Sequence, residues 1–203
     1  MDKQNVQDTV GEIKRSFRLR MNGVVSASMR QKGVQGYLNW GIQFPELKQM
    51  AQQYDKDYDL ALALWKENVR ECKILSTLLM PPHTMPQDMV SLWMEQIESQ
   101  EIAEYATYNV FQYVDDASIF AYLWMSSDRQ LEQLCGFNLI SCLFKQGAEP
   151  SERDINEFVD QSIAALSDTS LAVRHAASNS LVSFSSLGEL QQNIVDSALK
   201  KCI

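Results

Sequence analysis

The sequence lacks most of the features that mark secreted, membrane-spanning or metal-stapled chains. No run of about 18 or more uninterrupted apolar residues occurs, and the start, Met1-Asp2-Lys3-Gln4, is polar rather than a charged tip leading into an apolar stretch. We therefore expect neither a membrane span nor a secretory signal. There are only four cysteines, Cys72, Cys135, Cys142 and Cys202, without a CxxC pair among them. They sit within apolar helical segments, which suits reduced thiols in a cytoplasmic protein. His83 and His175 are the only histidines, so no structural zinc is expected. With no Gly-rich phosphate loop, no His-Glu-x-x-His and no recognisable triad, no cofactor is expected either. Strand signals are also missing: no Asn-Gly or Asp-Gly turn joins alternating runs, and the longest β-branched cluster is Val24-Val25.

What is present is helical. The five prolines fall at three punctuation points, Pro45, Pro81-Pro82-Pro86 and Pro150, and between them apolar residues recur at three and four. The spacing predicts helices over roughly 3–17, 20–33, 44–54, 57–67, 69–80, 86–97, 99–113, 116–126, 128–146, 151–167, 170–186 and 188–201. Leu60, Leu64 and the Ala61/Trp65 pair form adjoining apolar stripes, and Val69, Cys72, Leu75 and Leu79 do the same on the next segment. Ser151 and Asp154 form a helix-start signal after Pro150, with Ile155, Phe158, Val159, Ile163 and Leu166 facing inward; Val173, Ala177, Leu181 and Phe184 belong to the partner helix.

Short links make such helices antiparallel neighbours. From about residue 44 they pair at spacings near the ~40–47 residues of HEAT-type repeats. Each helix is read as needing one covered face and leaving one free, which favours stacking over a bundle. The expected fold is all-α, a superhelical stack of antiparallel HEAT-like helix pairs in a single 1–203 domain, with 1–40 as an N-terminal helical cap and 41–203 as the stacked pairs. The concave side of such a stack is a natural binding groove. The net charge of −8 is uneven: residues 1–75 hold 12 Lys/Arg against 9 Asp/Glu, residues 76–203 hold 6 against 17. An acidic surface repels phosphate, so a nucleic-acid partner should meet the first third or a locally basic groove. The notable basic cluster is Lys14-Arg15-Ser16-Phe17-Arg18-Leu19-Arg20, with Phe17 interleaved; its bland reading is a solvated helix face.

The stretch from Met29 to Leu79 carries a resemblance. It contains Met29-Arg30-Gln31-Lys32-Gly33, Asn39-Trp40-Gly41-Ile42, Phe44-Pro45-Glu46-Leu47-Lys48, Leu60-Ala61-Leu62-Ala63-Leu64-Trp65-Lys66 and Val69-Arg70-Glu71-Cys72-Lys73-Ile74-Leu75. This resembles the AlkD-like DNA alkylation repair family of HEAT-like repeat proteins, more weakly as far as residue 186. Much of the signature is explained by packing: Pro45 suits a first helical turn, Trp65 is read as core, as are Trp93 and Trp124, Glu71 and Lys73 flank a buried face, and Arg70 is placed to pair with an acid.

The resemblance implies a glycosylase that releases cationic alkylated purines. That chemistry needs a carboxylate to stabilise positive charge on the sugar, aromatic faces to hold lesion and sugar, and an arginine on the phosphate. The family's Ser-Trp-Asp-x-x-Asp pattern falls on Ser99-Gln100-Glu101-Ile102-Ala103-Glu104; its Trp-x-Arg-Arg pattern falls on Gln130-Leu131-Glu132-Gln133, with Gln133 at the arginine position; its Val-Arg-Lys-Ala-x-Gly-Trp pattern falls on Val173-Arg174-His175-Ala176-Ala177-Ser178-Asn179. Glu104 offers a carboxylate one methylene further out than aspartate, and errors of about 1 Å can cost about a hundredfold in rate. Arg174 and His175 keep basic character, while Gln100 and Asn179 replace aromatics. Two readings stay open: a binding scaffold without catalysis, for duplex DNA in the concave groove or for a protein, or an active alkylpurine DNA glycosylase using Glu104. The substitutions favour the scaffold, with Gln100, Gln133, Arg174, His175, Asn179, Arg15, Arg18 and Arg20 as candidate DNA contacts.

Overall fold

A computed structural model describes residues 3–34 and 36–201; Cys202 lies outside them. Among the described residues there are twelve α-helices: α1 (Lys3–Arg20), α2 (Gly23–Gln31), α3 (Phe44–Ala51), α4 (Tyr58–Trp65), α5 (Arg70–Leu79), α6 (Gln87–Glu95), α7 (Gln100–Asn109), α8 (Ala117–Met125), α9 (Gln130–Lys145), α10 (Glu152–Ala165), α11 (Leu171–Ser185) and α12 (Glu189–Lys200). No strand occurs among them, only one isolated parallel bridge between Leu38 and Val69. The all-α expectation holds, helix for helix. The stretch predicted as one helix over 99–113 is the exception: α7 ends at Asn109 and a 3₁₀ turn follows at Phe111–Tyr113. Local chemistry explains the starts. The side chains of Asn22, Asp57, Ser99, Ser151 and Ser170 each accept a hydrogen bond from a backbone N–H of the first turn, and Pro45 occupies the first turn of α3.

The chain divides into two compact units, Met1–Asp115 and Asp116–Ile203. In the first, α5 packs against α3, α4 and α7, and α1 lies on α4. Trp65 and Trp93 are buried and stack with centroids 3.9 Å apart and planes 3° apart; Phe44 stacks on Tyr105 at 4.4 Å. In the second, α9 packs against α8 and α11, with α10 and α12 against α11, and Phe144, Phe158 and Phe184 meet at centroid distances of 5.0 to 5.3 Å. Gly136 permits the α8–α9 approach, since a Cβ there would lie 2.4 Å from the Met125 amide nitrogen.

Three expectations need correction. Helix α5 does not keep a free face: nine of its ten residues are buried, including Arg70, Glu71 and Lys73, because α3, α4 and α7 pack on it and the 38–42 segment covers its start. Glu71 and Lys73 therefore lie within the core rather than flanking it. Phe17 is fully buried and points into the first unit, not among the arginines that surround it in sequence. Trp65, Trp93 and Trp124 are core residues, as expected.

Candidate nucleic-acid interface

Three charges organise one side of the first unit. Arg70 and Glu71, at the start of α5, are 1% and 0% exposed. Arg70 grips Glu101 of α7 in a two-pronged pair, Nε to Oε2 and Nη2 to Oε1, both 2.6 Å, and its Nη1 donates to the Ile42 carbonyl at 2.9 Å. Glu71 accepts from the backbone N–H of Trp40 at 3.1 Å, from that of Ile42 at 3.3 Å, and from Arg70 Nη1 at 3.2 Å. Burial alone opposes the guanidinium charge, but the hydrogen bonds and charge of Glu101, then of Glu71, outweigh it and push the Arg70 pKa up. The cluster fastens the Leu38–Ile42 segment to the helices. Gly41 completes the fastening at φ +75°, where a Cβ would lie 2.2 Å from the Asn22 carbonyl oxygen.

Behind this segment, Lys73 donates to the Trp65 carbonyl, and its ammonium sits 4.6 Å from the Trp65 ring centroid and 5.8 Å from that of Tyr37. Desolvation lowers its pKa, and Glu98 opposes the shift.

The fastened segment forms one wall of a groove of 390 Å³ whose other wall is α1. Trp40 and Leu38 line it on one side, and Gly11, Lys14, Arg15 and Arg18 on the other. Trp40 is half-buried and Leu38 is 54% exposed. Lys14 is engaged by Glu67 at 2.5 Å. Arg15 and Arg18 are exposed and make no ion pair among the described residues; Arg20, also exposed, reaches the Ser16 carbonyl at 3.4 Å. The three arginines thus present charge outward at the C-terminal half of α1, where the helix dipole favours cations.

The positions suggested by resemblance are divided between the units. In the first, Ser99 caps α7, Gln100 is exposed, and the half-buried Glu104 accepts a hydrogen bond from the Gln100 amide at 2.8 Å. In the second, Gln133 is half-buried in the first turns of α9. Its neighbour Glu132 is occupied by Ser127 and by Arg129 at 2.6 Å. Arg174 Nη1 donates to the carbonyls of Asp168 at 2.5 Å and Thr169 at 3.3 Å, while Thr169 accepts from Gln130 at 3.3 Å. Arg174 therefore secures the turn before α11, close to the start of α9. His175 and Asn179 are exposed.

A family model described as DNA alkylation repair enzyme matches residues 13–201. The chain belongs to that family. A solved structure described as belonging to "a new family of proteins related to the HEAT-like repeat DNA glycosylases with affinity for branched DNA structures" superposes with a TM-score of 0.79 at 12% identity, covering 94% of this chain and 81% of that one. That likeness establishes a HEAT-like repeat fold for the family member described here. Among curated proteins, no match is found. Family membership agrees with the resemblance carried by Met29 to Leu79; the groove wall at Leu38 and Trp40 lies inside that same stretch, yet the motif gave no reason to set Trp40 apart from its neighbours.

Proposed function

We propose that the protein is a cytoplasmic, DNA-binding member of the family that does not excise bases. The observation that carries this reading is the pair at the head of α7, where the Gln100 amide holds the Glu104 carboxylate at 2.8 Å. A carboxylate committed to a neighbouring amide is poorly placed to stabilise positive charge on a sugar, and a glutamine supplies no aromatic face beside it. The other positions agree: Gln133 brings no charge for a phosphate, Arg174 is spent on backbone carbonyls, and Asn179 offers no stacking surface. Each lost base–aromatic stack is worth ~1–3 kcal/mol.

Binding draws support from elsewhere in the molecule. Arg15, Arg18 and Arg20 give α1 an outward basic face in the part of the chain where positive charge prevails. The structural neighbour's affinity for branched DNA is consistent with the same partner class. Buried thiols at Cys72, Cys135 and Cys142 suit a reducing compartment.

The test combines two measurements on one preparation. Duplex affinity should fall steeply as salt rises, because phosphate contacts release counterions. A duplex bearing 7-methylguanine or 3-methyladenine should keep its base. Undetectable binding at about 50 mM salt overturns the binding half; base release abolished by Glu104→Ala overturns the other and establishes an alkylpurine glycosylase using Glu104.

A further inference from the structure

None of the candidate catalytic positions lines the groove between α1 and the Leu38–Trp40 segment, and we propose that this groove receives an unpaired base of a bound DNA strand, stacked on Trp40 with the adjoining phosphates on Arg15 and Arg18. This rests on the DNA-binding reading and adds the feature of DNA that is recognised.

Five properties of the groove point to such an occupant. Its 390 Å³ falls in the ~300–1,000 Å³ range of sites for small molecules, a size that suits a single base. It pairs an aromatic and an aliphatic wall with two exposed guanidinium groups that make no ion pair among the described residues, the combination by which single strands are held without regard to sequence. Glu67, the acid in the lining, is neutralised by Lys14; Asp8 and Glu12, on the same helix, are not among the lining residues.

The backbone that carries the aromatic wall is also fixed in advance. The Trp40 N–H is held by the fully buried Glu71 and its carbonyl accepts from the Asn22 N–H at 2.9 Å. Leu38 is paired at both its N–H, with Asn68 at 3.1 Å, and its carbonyl, with Arg70 at 2.8 Å. Little ordering is left to be done when a base arrives.

The last property is Gly11. Glycine inside a helix is less stable than alanine, and a Cβ at Gly11 would meet no atom within 4 Å. Packing therefore does not demand glycine there. What its missing side chain leaves is open space along the α1 wall of the groove.

The experiment compares a forked duplex with oligothymidine arms against its blunt-ended counterpart by fluorescence anisotropy at about 50 mM salt. The wild-type protein is expected to prefer the fork by about tenfold or more. Trp40→Ala and Gly11→Leu should each reduce fork affinity by about 5-fold to 150-fold, the range of one base stack, and leave blunt-duplex affinity within about twofold. Gly11→Leu raises helix propensity, so its Tm should not fall, and a lost preference in that variant cannot be ascribed to unfolding. Equal wild-type affinity for fork and blunt duplex, or a preference retained in either variant, overturns this inference while DNA binding stands. Failure of the wild type to bind either DNA removes both.

Discussion

Replacing Glu71 by alanine should be among the most damaging single changes in the first unit. The carboxylate is fully buried and accepts from two backbone N–H groups, Trp40 and Ile42, and from Arg70. Each donor left unsatisfied costs ~1–3 kcal/mol. Arg70 adds less than the ~3–5 kcal/mol of a fully broken buried pair, since its two-pronged contact with Glu101 survives. A loss of about 3–5 kcal/mol follows, a large part of the ~5–15 kcal/mol typical of a folded protein. Glu71→Gln keeps one acceptor oxygen and the shape, so about 1–2 kcal/mol is expected. Urea unfolding read by tryptophan fluorescence measures both. With a slope of ~1–3 kcal/mol per molar urea, the alanine midpoint should drop by about 1–5 M. A loss under about 1 kcal/mol for alanine, or equal losses for the two variants, would refute the role given to this carboxylate.

Two further outcomes follow from packing and burial. Gly136→Ala should cost about 1–3 kcal/mol or more, because its Cβ would press on the Met125 nitrogen at 2.4 Å and the Ala121 oxygen at 2.9 Å, backbone atoms that yield only if α8 and α9 move apart; thermal unfolding unchanged from wild type would contradict the close approach. Burial pushes the Cys72 thiol up to about 12 and raises Cys142 as well, so at about pH 8, near the ordinary thiol value, their reactive thiolates are scarce. Peptide mapping after iodoacetamide treatment should find Cys72, Cys135 and Cys142 unlabelled until the protein is denatured, and labelling of native Cys72 would show that the core opens.

Periodicity was enough to read the helices, because the stripes Leu60–Leu64 and Val173–Phe184 are local patterns that point one way. It was also enough to place Trp65, Trp93 and Trp124 inside, since each sits on such a stripe. Contacts distant in sequence were not legible. Arg70 and Glu101 are separated by 31 positions, and so are Glu71 and Trp40, so nothing local distinguishes these charges from solvated ones. A helix whose charged residues alternate with Cys72, Ile74 and Leu75 was the available sign that its polar face is also covered. Phe17 misled because its neighbours in sequence are arginines, whereas its neighbours in space are core. At the candidate catalytic positions residue types were legible but their engagement was not: the hold of Gln100 on Glu104, and the turn of Arg174 towards Asp168, become visible only with side chains in place.

The most direct test of binding without excision is a single-turnover base-release measurement on a duplex carrying 7-methylguanine, with protein in excess and anisotropy on the same samples establishing that the DNA is bound. Saturated binding with release no faster than in protein-free controls is the predicted result. Release that follows occupancy and is lost in Glu104→Ala would contradict it.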